Sequence, residues 1–450
     1  MSLREAIGSY HDLLTDDLAS ASQAFLDEQQ QLRGLFFGQR PLCTVLRPRF
    51  MTPEQYHFLQ TRVRILLHAF EKIYAAAIAD ADFRAQFGLL DWEEALVRHD
   101  SGFHAPSPTS RVDTFFVTDR GGLRLTEYNA ETPASPAYND ALAEIFYGMP
   151  VMREFLRQYE VRNLPARHSV LHSLLDAYEQ WSGRREAPRI AILDWREVPS
   201  YSEFVLFEKY FKSQGIECVI ADPREVEYSN GRLMAGDFHI TLIYKRVLLS
   251  ELVERSGLDS PVIRAVLDGA VCMVNPFRCK ILHKKASLAV LSDERNAGLF
   301  TLQELEAIEA HIPWTRRVEE RFVRYRDAAV DLIPFILEHR ERLVLKPNDE
   351  YGGKGIVLGW ETDPGDWMQA ISTSLTEPYI VQERVAIPSE PYPSVVDGHV
   401  EFIDRMLDTN PLVFYGDYVD GCLSRLSTEA LLNVSAGSGS AVATFVVEKR

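Results

Sequence analysis

Two short runs in the 450-residue chain carry side chains whose chemistry converges if the runs pair. The first is Arg111-Val-Asp113, and the second is Leu125-Thr-Glu127-Tyr-Asn129, joined through Asp119-Arg120-Gly121-Gly122. A hairpin turning about Arg120 sets Asp113 opposite Glu127 and Arg111 opposite Asn129. Side chains alternate along a strand, so all four share one face. Hard oxygen donors of this kind suit Mg²⁺, which takes a few protein ligands and completes its shell with phosphate oxygens and water. Two strands alone also read as a half-buried hairpin with a charged solvent face. The polar positions stop just before Pro133, however, which suits a strand that ends at a site. Spacing leaves open whether Glu131 joins the cluster.

A second constellation is the apolar strand Leu343-Val-Leu-Lys346-Pro, followed by Asn348-Asp-Glu-Tyr-Gly352-Gly353-Lys354-Gly355 and the return strand from Ile356. Glycines let backbone N–H groups approach phosphates and lysines supply charge, so this reads as a phosphate-covering hairpin. It is not a Walker A loop, because no Ser or Thr follows Lys354. Pro378-Tyr-Ile-Val-Gln382-Glu383 could offer backbone groups and a carboxylate to adenine and ribose. Asn275-Pro276 leads into Lys280, Lys284 and Lys285, a basic turn entering a helix that fits either a solvated helix start or a phosphate contact.

The elements that must position these residues are legible in part. Thr52-Pro53-Glu54-Gln55 is a capping box with Pro in the first turn. Tyr56, Leu59, Val63, Leu66, Leu67, Phe70 and Ile73 then recur at helical spacing and predict one buried stripe. Arg189 to Ala221 reads as strand, helix, strand, with Gly215 stopping the helix, and so predicts a small parallel sheet. His239 to Tyr244 and Ala270 to Val274 are expected to add strands. In the last third a helix is expected near Ala328 to His339, with strands at Arg342 to Lys346, Ile356 to Trp360 and Tyr379 to Glu383.

Bulk properties exclude several classes. The net charge of −17 argues against a nucleic-acid partner, because phosphate-backbone binding needs clustered Lys and Arg. No apolar run reaches the roughly 18–20 residues of a membrane helix. The opening MSLREAIGSYHDLL resembles no secretion signal, so a cytoplasmic protein without a membrane partner is expected. The cysteines Cys43, Cys218, Cys272, Cys279 and Cys422 are never spaced as C-x-x-C and are expected to be reduced filler. The turn Asp194-Trp195-Arg196-Glu197 lacks the glycines of a dinucleotide fingerprint, which removes an NAD-type dehydrogenase.

Taken together, these segments resemble the ATP-grasp superfamily, in its circularly permuted branch typified by the synthetase domain of glutathionylspermidine synthase. In that branch an R-x-D strand and an E-x-N strand precede the lysines and glycine loop, as Arg111-x-Asp113 and Glu127-Tyr-Asn129 do here. The resemblance implies Mg²⁺ on Asp113, Glu127 and Asn129, with Arg111 at the γ-phosphate. It also implies ATP phosphates on Lys285 and Lys346 under Gly352, Gly353 and Lys354, and the adenine hinge at Gln382 and Glu383. Lys284 stands where the family has Asn. Arg425, in Cys-Leu-Ser-Arg-Leu-Ser, resembles a late arginine near the acceptor or acyl phosphate.

The fold so implied is α/β (α+β), a circularly permuted ATP-grasp fold with a small Rossmann-like pre-ATP-grasp sheet and an N-terminal helical region. Its expected division is a helical region at 1–108, the metal-binding hairpin and helices at 109–187, the Rossmann-like part with the phosphate-site lysines at 188–312, and the glycine-loop lobe at 313–450. Glu186-Ala187-Pro188 and the region of Pro313 are the candidate boundaries. The implied activity is ADP-forming ligation of a small-molecule carboxylate to an amine, drawn from amino acids, peptides or polyamines. No Cys/His amidase segment is read before the ligase part, so amidase activity is not expected. A phosphotransferase of the same fold, or a nucleotide binder without turnover, is the alternative.

Overall fold

The longest helix, Pro53–Ala79, starts where its cap dictates. The Thr52 hydroxyl accepts from Gln55 N at 3.3 Å, and the Gln55 side chain accepts from Thr52 N at 2.9 Å. Two donors that the first turn leaves open are thereby satisfied. The stripe from Tyr56 to Ile73 is buried, and it packs in one core with Leu123, Leu125 and Tyr128 of the candidate hairpin. The helix therefore backs the strand that carries Glu127 and Asn129.

A computed structural model describes residues 2–117, 122–350, 352–428 and 439–450. The expected turn at Asp119-Arg120-Gly121 and Tyr351 of the glycine loop lie outside the described residues. Strands Thr109–Val117 and Gly122–Asn129 pair antiparallel, with Arg111 opposite Asn129 and Asp113 opposite Glu127. Beyond Asp113 the register slips by one, so that Thr114 faces Leu125 and Thr126 is left over as a bulge. Counting evenly from Arg120 reaches the right pairs at the site, while the residues nearer the turn pair one position off. A bulge of this kind sharpens the local twist and re-aims side chains, here at the carboxylate pair.

The hairpin sits at one end of a nine-stranded sheet that continues through Asn410–Phe414, Tyr418–Ser427, His399–Leu407 and Ser389–Val396. Strand Ser440–Lys449 pairs with Tyr418–Ser427 and also with Arg49–Met51 and Tyr159–Asn163. This sheet thus draws on residues from 1–108, 109–187 and 313–450.

Within 188–312, strands Cys272–Val274, Leu242–Lys245, Ile190–Leu193 and Cys218–Ala221 form a parallel sheet in that order. The expected His239–Tyr244 strand divides at Thr241. Phe238–Ile240 joins an antiparallel sheet with Arg232–Ala235 and Val226–Ser229, and only Leu242–Lys245 enters the parallel one. The expected Ala270–Val274 strand shortens to Cys272–Val274.

Strands Thr315–Arg317, Tyr379–Glu383, Leu343–Pro347 and Val357–Leu358 form a four-stranded antiparallel sheet under the glycine loop. The expected return strand shortens to Val357–Leu358, and just past it Gly359 packs against the Arg340 segment, where an added Cβ would lie 1.9 Å from the Arg340 carbonyl. The helix expected from Ala328 is instead the strand Ala328–Asp331, hairpinned with Phe322–Tyr325, followed by a helix over Leu332–Glu338. Periodicity cannot separate a short apolar strand from a helix start. All five cysteines are free and buried, and no helix among the described residues is long and apolar enough to cross a membrane.

Candidate active site

Arg111 and Asp113, two residues apart on one face of the same strand, make a bidentate contact, with Nε–Oδ1 at 2.7 Å and Nη2–Oδ2 at 3.1 Å. Arg111 Nη1 also donates to the Ala134 carbonyl at 3.0 Å, which fixes the guanidinium over the start of the next helix. Arg425 arrives from strand Tyr418–Ser427 and donates to Asp113 Oδ2 at 2.8 Å and to Asp408 Oδ2 at 2.6 Å. Burial pushes the Asp113 carboxyl up, but Arg111 and Arg425 outweigh it and hold the group below its ordinary value.

Glu127 faces Lys285, with Oε1–Nζ at 3.0 Å. Burial raises its carboxyl and nearby Asp113 adds to that, yet Lys285 and Lys346 leave it below the usual range. The Lys285 ammonium also donates to the Glu350 carbonyl at 2.6 Å, and Lys285 N donates to the Asn348 carbonyl at 2.9 Å. The base of the glycine loop is thereby tied to the strand that carries Glu127. Lys346 donates to Gln382 Oε1 at 2.7 Å and lies 3.4 Å from the Thr126 carbonyl. Burial pulls its ammonium down to about 8 despite the opposing pull of Glu127.

Asn129 completes the expected set, and its Nδ2 is buried without a hydrogen-bond partner among the described residues. Two carboxylates and an amide of this kind are hard donors that fit Mg²⁺. The carboxylates are paired here with Arg111, Arg425 and Lys285.

Four sequence-stated residues behave otherwise. Lys280 is buried between Glu131 Oε2 at 3.0 Å and Asp349 Oδ2 at 2.8 Å, and Lys284 between Glu93 Oε1 at 2.7 Å and Asp349 Oδ2 at 3.0 Å. Neither is a solvated helix start, and both ammonium groups are engaged by carboxylates. Glu131 turns away from the hairpin face to Lys245 and Lys280. Glu131, His283 and Asp349 present ligand atoms within 4.8 Å of one another, but Lys280 already supplies the positive charge there. Lys354 is exposed, pairs at 3.4 Å with Glu350, and lines neither cavity described below. The Gln382 amide is held between Lys346 and Thr315, and the Glu383 carboxylate accepts from Tyr325 Oη at 3.0 Å.

Two cavities meet at this cluster. One runs from Asp113, Glu127 and Arg425 past Lys346, Gly352 and Gly353 to an apolar wall that includes Val344, Leu358 and Trp360, with Gln382 and Glu383 on its rim. The other runs from the same Asp113, Glu127, Gly352 and Arg425 past Arg111 and Asn129 to Asp194 and Arg246. Asp113, Glu127, Gly352 and Arg425 thus form a wall common to both.

No protein-family model matches the chain. Its sequence is similar to a protein of Frankia casuarinae described as "Putative glutamate--cysteine ligase 2-2", at 22% identity over 446 residues, covering 92% of this chain and 48% of that protein. The chain spans about half the length of that curated relative. Among solved structures it is similar to a glutathione synthetase-like effector from Globodera pallida in its apo form, with a TM-score of 0.59 and 13% identity. The match covers 96% of this chain and 98% of that one. What they share is the fold. The chain has the mixed α/β architecture of a glutathione synthetase-like protein.

Sequence reasoning missed Asp408, Asp194 and Arg246. Asp408 has no local motif; it lies in the link between strands His399–Leu407 and Asn410–Phe414, and only its contact with Arg425 reveals it. Asp194 and Arg246 did carry a signal, since each directly follows a strand of a parallel sheet, and ligands bind outside the carboxyl ends of such strands.

Proposed function

We propose that this chain is an ATP-dependent, ADP-forming carboxylate–amine ligase of the circularly permuted ATP-grasp type, acting with Mg²⁺ on small molecules in the cytoplasm. The observation that carries this reading is the common wall of the two cavities. A phosphate donor in the cavity of Lys346 and Gly353 and an acceptor in the cavity of Arg111 would meet across Asp113, Glu127 and Arg425. The order of hairpin, lysines and glycine loop along the chain supports the permuted arrangement, and the ligase name of the Frankia protein supports the reaction class.

Asp113, Glu127 and Asn129 would hold the metal, which supplies charge neutralisation at the transferring phosphoryl group. Lys285 and Lys346 would neutralise the triphosphate, and Arg111 and Arg425 would stabilise charge developing between donor and acceptor. Gly352 and Gly353 would bring backbone close to the phosphates and exclude water. A substrate carboxylate would attack the γ-phosphorus, ADP would leave, and an amine would then displace phosphate from the acyl phosphate. No side-chain nucleophile is required. The motif order is similar to that of the glutathionylspermidine synthase ligase part, but the proposal does not extend to glutathione or spermidine as substrates.

The test is interception of the acyl phosphate. Amino acids, peptides and polyamines are screened for ADP release with MgATP, and hydroxylamine is added with the acid that responds. A hydroxamate is expected without any amine, and oxygen-18 in the acid should pass into the released phosphate. A stable phosphorylated product without label transfer would identify a phosphotransferase instead. MgATP binding with no turnover in any mixture would identify an inactive binder.

A further inference from the structure

The second cavity continues beyond the common wall to the carboxyl ends of two adjacent parallel strands. Strand Ile190–Leu193 delivers Asp194, and its neighbour Leu242–Lys245 delivers Arg246. The Leu193 carbonyl accepts from Arg246 N at 2.9 Å, so the two residues leave the sheet side by side. Each feels the other's charge, yet no hydrogen bond or ion pair joins their side chains. Neighbouring opposite charges in a low-dielectric site normally close on each other.

Arg246 is held elsewhere. Its Nη2 donates to Glu203 Oε2 at 3.0 Å and its guanidinium lies over the Phe204 and Tyr244 rings, while Nε and Nη1 are buried with no hydrogen-bond partner among the described residues. Glu203 in turn accepts from Ser135 N at 2.8 Å and Ala137 N at 3.2 Å, the start of the helix Pro136–Gly148. Ser135 keeps a left-handed φ of 119°, a strained geometry for a residue with a Cβ, and its Oγ lies 3.4 Å from Arg111 Nη1. Glu203 therefore anchors Arg246 while leaving two of its N–H-bearing nitrogens unused. Asp194 uses Oδ1 on Trp195 N at 2.8 Å, and burial raises its carboxyl to about 7. Both side chains are buried, line the same cavity and make no ion pair with each other.

We propose that Asp194 and Arg246 form a head-group subsite for a zwitterionic ligand, with Asp194 receiving an α-ammonium and Arg246 an α-carboxylate. A free amino acid, or the amino-acid end of a longer substrate, supplies both charges at the separation of one carbon. It would place the rest of the molecule along the cavity toward Arg111 and the common wall. The subsite deepens the ligase reading and rests on it for the direction in which the substrate points, though binding itself needs no turnover.

The experiment is calorimetric titration of the full chain with each protein amino acid, and with the N-acetyl and carboxamide derivatives of any that bind. MgATP is titrated separately. At least one free amino acid should bind, and blocking either end should weaken it about tenfold or more, the worth of a charge-assisted contact. Asp194→Asn, which preserves size, should weaken the free amino acid by a similar factor and leave the N-acetyl derivative unaffected. Arg246→Lys should erase the preference over the carboxamide. Equal binding of free and blocked forms overturns the subsite, as does an unchanged free-to-acetylated ratio in Asp194→Asn. The absence of any amino-acid binding in protein that binds MgATP also overturns it. Amino-acid binding in protein that fails to bind MgATP would instead remove the ligase reading and leave the subsite standing.

Discussion

Arg425 Nη2 lies 2.8 Å from Asp113 Oδ2, although 312 residues separate them along the chain. The same guanidinium holds Asp408, which is 2% exposed, so one arginine compensates two buried carboxylates, one on the hairpin and one in the link between strands His399–Leu407 and Asn410–Phe414. It serves the fold and the proposed phosphoryl transfer at once.

The two roles separate by substitution. Arg425→Gln should abolish turnover and lower stability by about 3 kcal/mol, the low end for a broken buried pair because the guanidinium is a quarter exposed. Adding Asp408→Asn should return part of that stability and none of the turnover. Urea midpoints and ADP release measured on the single and double variants decide this, and recovery of turnover in the double variant would leave Arg425 a purely structural residue.

Glu127→Gln should keep the fold, since the amide still reaches Lys285, while turnover drops about 10²–10³-fold, the scale for losing one preorganised charge contact. Kinetics at limiting Mg²⁺ test it. A variant with unaltered Mg²⁺ dependence would remove Glu127 from the metal set.

Lys346→Ala and Lys285→Ala should each weaken MgATP binding about tenfold or more, through loss of a charge-assisted contact. Lys354→Ala should change it little, because that ammonium is exposed and lines neither cavity. Calorimetry that ranks Lys354 above Lys346 would reverse the roles given to them.

Acid should destabilise the protein between pH 6.5 and about 4. Burial, reinforced by Arg47, pulls the His11 ring down to about 4, so the folded state holds it neutral over a range where the unfolded chain protonates it. The unfolded state then binds more protons, and stability is lost as pH falls through that window. His11→Gln should reduce proton uptake on unfolding near pH 5 by about one. The pH dependence of urea midpoints for both proteins measures the difference, and identical slopes would contradict it.

The sequence by itself determined what depends on near neighbours. The Thr52 capping box, the buried stripe from Tyr56 to Ile73, and the pairing of Arg111 with Asn129 and of Asp113 with Glu127 all follow from side-chain periods and short hydrogen bonds. The parallel unit at Ile190–Leu193 and Cys218–Ala221 is legible for the same reason. Tertiary structure decided whatever depends on which charges meet after burial. Lys280, Lys284 and Lys285 look alike as a basic turn, yet the first two face Glu131, Glu93 and Asp349, and only Lys285 reaches Glu127. Ala328 to Asp331 became strand because a partner at Phe322–Tyr325 was present to pair with it. Asp408 belongs to no local pattern, and although Asp194 and Arg246 sit at the ends of apolar strands, only the assembled sheets bring all three to the site. A buried charge takes its role from the partner that offsets its desolvation, and that partner is chosen by the fold rather than by neighbours in sequence.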